Sequence, residues 1–295
     1  MTIKKSIPEN TFSIVNTILM LFILIIMLYP IWFCAVSSIS RPSLLMSHRG
    51  LLLLPIGINF SSYKAILSYN SLWIGYANTI FYVITGTAVN LVMTSLAAYA
   101  LSRKNVMFST FITFIITFTL FFGGGLIPTY LNIQRLGMLN SRLALILPGA
   151  MSAYNFIIMK TSFKAVPDSL EESARKDGAN DFIILLRIIL PLCTPVIAVM
   201  VIYYGVGHWN SWFSAMIYLR DRTLYPLQLV LREILITNST LFEFEFAAKQ
   251  YDEVEPIAQN VQYAIIMVET IPILFIYPAL QKYFVKGVMI GSIKG

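Results

Sequence analysis

The sequence predicts an all-α, polytopic membrane protein with about six transmembrane helices, and three observations carry that prediction. Apolar residues make up 57% of the chain and charged residues only 12%, about half the charged share of a typical soluble domain. Several apolar stretches exceed the roughly 18–20 residues a helix needs to cross hydrocarbon. The net charge of +7 comes mainly from bases at the ends of those stretches. Membrane topology accounts for such a distribution, and with no clustered basic stripe a nucleic-acid partner is not expected. Cys34 and Cys193 lie far apart, in or beside apolar segments, and read as small buried hydrophobes rather than a disulfide or a metal site.

The first span runs from near Ile14 to Ser37, behind a short polar start with Lys4 and Lys5. Its apolar run is too long for a signal peptide and no Ala-x-Ala site closes it, so it is expected to stay uncleaved. Arg41–Tyr63, with Pro42, Gly50, Pro55 and Gly57, reads as an irregular outer loop. The second span covers about Asn78–Leu101, the third Phe108–Pro128, the fourth Leu143–Phe163 and the fifth Leu192–Leu219. Phe122-Gly123-Gly124-Gly125-Leu126-Ile127-Pro128 cannot continue a regular helix, so its backbone groups need protein or water partners. It reads either as a bend lining a translocation path or as an exit turn. Leu219–Gln262 is an outer loop with Arg232, Glu233 and an acidic block, Glu243, Glu245, Asp252, Glu253 and Glu255. That block is either plain solvated surface or a face toward an extracytoplasmic partner. The last span runs from Ala264 to Leu280. The expected organisation is a span and outer loop over 1–72, a transmembrane core over 73–282 and a tail over 283–295.

Orientation follows from Lys and Arg. Lys4, Lys5, Arg103, Lys104, Lys160, Lys164, Arg175, Lys176, Arg187, Lys282, Lys286 and Lys294 fall in short, acid-poor segments on one side. The opposite side holds Arg41, Arg49, Lys64, Arg135, Arg142, Arg220, Arg222, Arg232 and Lys249, with its last loop long and acid-rich. Both termini are therefore expected in the cytoplasm of a multi-pass plasma-membrane protein.

Glu172-Ser173-Ala174-Arg175-Lys176-Asp177-Gly178, followed by Ile188-Ile189-Leu190-Pro191, is a charged island between the fourth and fifth spans. Asp168 with Glu171, or Ser169 with Glu172, matches a capping box at the start of a helix. The acidic first turn and the later Arg175 and Lys176 suit the helix dipole. Gly178 permits the positive φ that ends a helix. Asn180 or Asp181 can start a second helix, which Pro191 closes or kinks. A helix lying on lipid headgroups would be rich in bases and bulky apolar residues. This one begins acidic and small, which favours a protein partner: Ser173, Ala174 and Ala179 allow close approach, Gly178 sets a corner and Glu172 offers a charged anchor.

The spacing Glu-x-Ala, three residues, Gly, nine residues, Ile-x-Leu-Pro resembles the EAA motif of importer-type ABC transporter permeases, with Ser173 standing where alanine is commonest. Trp209-Asn210-Ser211-Trp212-Phe213, Tyr225-Pro226-Leu227-Gln228 and the ending Gln281-Lys282-Tyr283-Phe284-Val285-Lys286-Gly287 with Ile293-Lys294-Gly295 are similar to the maltose-type (MalG-like) sugar permeases. Leu231-Arg232-Glu233-Ile234-Leu235-Ile236 points to their oligosaccharide branch, labelled LplC or YtcP. The resemblance implies a bacterial type-1 ABC importer permease fold and a non-catalytic subunit. It implies as partners a second permease, two cytoplasmic ATPase subunits and an extracytoplasmic solute-binding lipoprotein. It implies a carbohydrate substrate and assigns ATPase coupling to Glu172, Ser173, Ala174, Asp177, Gly178, Ala179 and Pro191.

Sugar sites combine aromatic platforms with amide, hydroxyl or charged partners. The fifth span gathers Tyr203, Tyr204, His208, Trp209, Asn210 and Trp212 within about three turns. Trp209 and Trp212 also fit an interfacial aromatic belt, whereas His208 and Asn210 need water or partners at membrane depth. Tyr204, His208, Trp209 and Asn210 are thus the candidate substrate-path residues. No Gly-x-x-x-x-Gly-Lys-Ser/Thr phosphate loop occurs, no metal-ligand spacing surrounds His48 or His208, and no cofactor is expected. Glu269, an acid within the last span, raises an ion-coupled secondary transporter as the alternative. That class would bring internal repeats and several membrane acids or bases, and the chain shows neither.

Overall fold

The computed structural model describes residues 7–104, 106–236 and 260–275, and the described residues divide into two compact units. The first takes its described residues from Met1–Tyr69 and Ile234–Pro272, the second from Asn70–Glu233 and Ile273–Gly295. Lys4, Lys5, the acidic block Glu243–Glu255, the end of the last expected span and the family-like C-terminal ending lie outside the described residues.

In the first unit, α1 (Ile7–Ser38) is 32 residues long, about 48 Å at 1.5 Å per residue. None of its most apolar window, within Pro8–Ser38, is buried. Short helices α2 (Pro42–Ser47) and α3 (Ser61–Leu67) punctuate the following loop, which is pinned by the Ser40–Ile58 bridge and by Trp32 Nε1 donating to Leu53 O at 3.0 Å. This loop is as irregular as its prolines and glycines predict.

The second unit is organised by α4 (Asn70–Ser102, 33 residues). One face of it is small and polar: Gly75, Asn78, Thr79, Gly86, Asn90, Thr94 and Ser95 are all buried. Such a face lets neighbouring backbones approach and offers hydrogen bonds where lipid offers none. Ile80, Ile84, Val92 and Met93 remain exposed. After it come α5 (Ser109–Phe118), α6 (Leu126–Arg135), α7 (Leu143–Ile146), α8 (Ala153–Lys164) and α9 (Asp168–Lys176). Next are α10 (Asp181–Ile184), a π-helical turn (Leu185–Ile189), α11 (Leu190–Leu192) and α12 (Thr194–Trp209). The series closes with α13 (Phe213–Tyr218) and α14 (Leu227–Ile236), while α15 (Asn260–Phe275) lies mostly in the first unit.

The first two expected spans appear as single helices long and apolar enough to cross a membrane. The next three are interrupted. Residues 123–125, all glycine, separate α5 from α6, and Gly125 takes φ +84° at the α6 N-terminus. The Phe122–Pro128 stretch is therefore a helix-to-helix break. Pro148 and Gly149 separate α7 from α8, where Pro148 has no N–H to give. The chain then bends by 87° between Asp181–Leu192 and Thr194–Trp209. Pro191 and Pro195 flank the bend, and the π turn routes the Leu190 N–H to Leu185 O.

The core of this unit lies where α4, α8 and α12 meet. Phe156, Met159, Phe163, Ile184, Ile189 and Met200 are fully buried there. At the other end of α4, residues 223–227 dock on its buried face. Asn78 Nδ2 donates to Thr223 O (2.7 Å) and Tyr225 O (3.1 Å), Tyr82 OH donates to Leu224 O (2.8 Å), and Thr79 Oγ1 accepts from Leu227 N (2.8 Å). Gly75 permits this close approach, because a Cβ there would sit 3.1 Å from the Leu227 Cα, tighter than ordinary packing.

Candidate functional site

The charged island folds as a helix, a corner and a second helix. Pro167 stands at the N-cap of α9 with no side-chain cap bond, so neither expected capping box forms. The acids do other work. Asp168 Oδ2 accepts from Lys104 Nζ at 2.7 Å, and Glu171 pairs with Arg103. An ion pair with hydrogen bonding is roughly twice as strong as a neutral hydrogen bond, so a cationic partner across the groove outcompetes the helix's own N–H groups. The hydrogen bond from Lys104, and then its charge, hold the Asp168 carboxyl below its ordinary range, while Asp168 raises Lys104.

Gly178 ends α9 with φ +85°. The Ala179 N–H reaches Ala174 O (2.9 Å) and the Gly178 N–H reaches Arg175 O (3.1 Å), the paired bonds of a Schellman motif. Ala174 and Ala179 are half-buried against the α4–α8–α12 core, whereas Glu172, Ser173, Asp177 and Gly178 are exposed. Asn180 then caps α10, its Oδ1 accepting from Ile183 N at 2.9 Å. Pro191 is exposed at the 87° bend, away from this corner along the chain. Beside the corner lies a groove of about 880 Å³ lined by Tyr99, Arg103, Lys104, Asp168, Glu171 and Glu172 among others.

A second, smaller cavity of about 360 Å³ lies farther along α4 and α12, lined by Asn90, Ser152, Asn155, Tyr203, Tyr204 and His208 among others. His208 Nε2 meets Asn90 Oδ1 at 2.7 Å, and Asn90 Nδ2 donates to Gly149 O, which the α7–α8 break frees. Tyr204 OH bonds Thr94 Oγ1 (2.7 Å) and accepts from Ser152 N (3.2 Å). A Cβ at Gly86 would overlap the His208 ring. Of the four residues expected on a substrate path, Tyr204 and His208 line this chamber. Trp209 is buried and Asn210 exposed, both outside the lining.

The sequence reading missed Asn90, Thr94 and Gly86, although their i, i+4, i+8 spacing in an apolar span marks one polar helix face. It also missed the Arg103–Glu171 pair, which no local pattern signals.

No family model matches the chain. The polygalacturonan/rhamnogalacturonan transport system permease protein YtcP of Bacillus subtilis (strain 168) is 40% identical over 250 residues, covering 83% of this chain and 85% of that protein. The chain belongs to the carbohydrate ABC-importer permease family. Protein LplC of the same organism is 38% identical over 253 residues, covering 85% of this permease and 84% of its relative. A solved chain agrees in three dimensions. It comes from the crystal structure of a bacterial ABC transporter involved in the import of the acidic polysaccharide alginate, with a TM-score of 0.88 and 36% identity over 96% of the permease and 100% of that chain. The all-helical, multi-pass permease fold and the sugar-transport assignment follow, and the ion-coupled alternative is left without support.

Proposed function

We propose that this permease forms, with a second permease, the translocation path of an ATP-driven oligosaccharide importer, and that the α9–α10 corner receives the stroke of ATPase subunits in the cytoplasm. One observation carries the coupling reading. Glu172, Ser173, Asp177 and Gly178 surround a Schellman corner in solvent, while Ala174 and Ala179 anchor the same corner to the helical core. A protruding, rigid, charged knob backed by the core is what a docking pocket on a separate protein can push. Pro191 fits the same scheme as the pivot at the bend behind it.

ATP hydrolysis then belongs to partner subunits, and a solute-binding lipoprotein delivers sugar from outside. Tyr204 and His208, with Asn90, supply aromatic and polar contacts of the kind sugars use, while Trp209 and Asn210 flank that chamber on the same helix. Both termini are assigned to the cytoplasm. The substrate class is a uronate-containing oligosaccharide: the relatives are named for pectic and alginate polymers.

The test is reconstitution with the two ATPases, the second permease and the binding protein in vesicles. ATP-dependent uptake of galacturonate oligosaccharides is expected, with little uptake of neutral maltodextrins. Preference for the neutral sugar would overturn the substrate class, and uptake independent of ATP would overturn the importer reading.

A further inference from the structure

Among the described residues, Glu171 is the only charged side chain that is buried, at 6% exposure. It sits on a helix whose other charges are solvated, next to the exposed Glu172. Its partner Arg103 follows directly on α4 and is itself largely enclosed, with 14% of its side chain exposed. That guanidinium engages several elements at once. Nη1 pairs with Glu171 on α9, Nη2 donates to Phe163 O near the end of α8 (3.0 Å), and Nε donates to Ser102 Oγ at the end of α4 (3.0 Å). Its Cζ lies over the Tyr99 ring, 5.0 Å from the ring centre. One turn earlier on α9, Asp168 holds Lys104, so successive acids on one helix face grip successive bases at the end of α4.

A buried ion pair is a poor way to add stability, since apolar residues of similar volume do as well or better. Its physical consequence is directional: separating the charges costs far more than moving them together. Hence α9 cannot shift without carrying the end of α4 and the end of α8. The 33 residues of α4 form one unbroken helix, and Asn90, which holds His208 in the polar chamber, lies roughly 20 Å along it from Arg103.

We propose that the Arg103–Glu171 pair is the mechanical link that passes displacement of α9 to α4 and α8, and so to the Asn90–His208 chamber. Both residues are positioning residues for coupling. The proposal rests on the coupling reading of α9, and its test separates the two.

The experiment uses the assembled importer in vesicles, with Cys34 and Cys193 replaced by alanine and a Ser211→Cys thiol in the chamber wall. Two quantities are read: the ATPase that co-purifies with the permease, and the change in thiol labelling when MgATP and vanadate trap the ATPases. Glu171→Gln is expected to retain the ATPase at parental levels while the labelling change shrinks about tenfold, in line with the cost of stranding a buried charge. Arg103→Lys keeps the charge but lacks the planar fork whose separate nitrogens meet Glu171, Phe163 O and Ser102 Oγ, so an intermediate loss is expected. The reversed pair Arg103→Glu with Glu171→Arg should recover part of what either reversal alone removes. A role in folding alone would alter the amount in the membrane and leave the labelling change per complex untouched.

Parental labelling changes in Glu171→Gln and Arg103→Lys, with ATPase docking lost in Glu172→Ala, overturn the link alone. Parental docking and labelling in Glu172→Ala overturn the coupling reading beneath it. No labelling change on trapping in the parent protein also overturns the link, because the chamber would have no motion to receive. Should Glu171→Gln be missing from the membrane, Arg103→Lys decides, and loss of both variants assigns the pair to folding and overturns the proposal.

Discussion

Glu171 and Glu172 are neighbours with opposite environments, and that contrast sets what each substitution should do. Glu172 is exposed with a solvated surface around it, so Glu172→Ala should change stability by under about 1 kcal/mol. A docking anchor left without its partner costs several-fold to orders of magnitude in association, so ATPase co-purification and ATP-driven uptake should fall while the amount in the membrane stays normal. Gly178→Leu should be worse, since φ +85° is a left-handed conformation that costs an L-residue about 1–2 kcal/mol and the side chain would crowd the docking corner. Normal transport by both variants at normal abundance would reduce α9 to a surface helix. The adjacent Asp168 has its own pH signature. Its folded carboxyl is depressed by Lys104, so its contact is fully present above the ordinary carboxylate range and is lost only as pH falls through the lower folded value. Replacing Lys104 with alanine removes the contact itself, so the Asp168 carboxyl should titrate higher, toward the ordinary carboxylate range, readable as its side-chain carboxyl NMR shift against pH.

Helices set the next scale, where the polar face of α4 does most of the organising. Asn78 offers its amide to Thr223 O and Tyr225 O and takes a bond from Arg142 Nη2 at 3.1 Å. Asn78→Ala strands those groups in a buried setting, so a loss of about 1–3 kcal/mol is expected, measured as a lower unfolding midpoint in detergent. Asn78→Asp keeps the acceptor for Arg142 but has no donor for the carbonyls, and should recover only part of that loss. An unchanged midpoint in Asn78→Ala would mean that residues 223–227 are held by Tyr82 and Thr79 alone. The first two spans were legible because a long apolar run has only one low-energy form in lipid. The break at Gly123–Gly125 was legible from its glycines, whereas the fourth and fifth expected spans are less continuous than averaged hydropathy suggests, because it passes over Pro148-Gly149 and Asn210-Ser211, where backbone chemistry ends helices. Gly178 and Asn180 were legible because capping is local. Arg103 with Glu171, and His208 with Asn90, join residues 68 and 118 positions apart, and only the packing of α4 against α8 and α12 brings them together. The capping boxes were misread for the same reason: a motif states what a side chain can bond locally and says nothing of a stronger partner arriving from elsewhere.

At the scale of the whole molecule, the proposed direction of transport requires α9 to face the ATPases and residues 219–227 to face the binding protein. Within the second unit these features dock at opposite ends of α4, the first through Arg103 and Lys104, the second through Asn78 and Tyr82. A helix of 33 residues reaches about 50 Å at 1.5 Å per residue, more than the roughly 30 Å of hydrocarbon, so its two ends lie in different aqueous compartments. We assign the Arg103–Lys104 end of α4 to the cytoplasm because those bases join Lys164, Arg175 and Lys176 in short segments, the pattern typically retained on that side. A membrane-impermeant thiol reagent applied to intact cells should therefore label a cysteine at Asp221 and spare one at Ser173, in a background without Cys34 and Cys193. Permeabilised cells should label both. A reporter fused after Gly295 should be active only in its cytoplasmic form. Labelling of Ser173→Cys from outside intact cells would invert the topology, place the charged corner beyond the reach of any cytoplasmic ATPase, and remove the physical basis for coupling through α9.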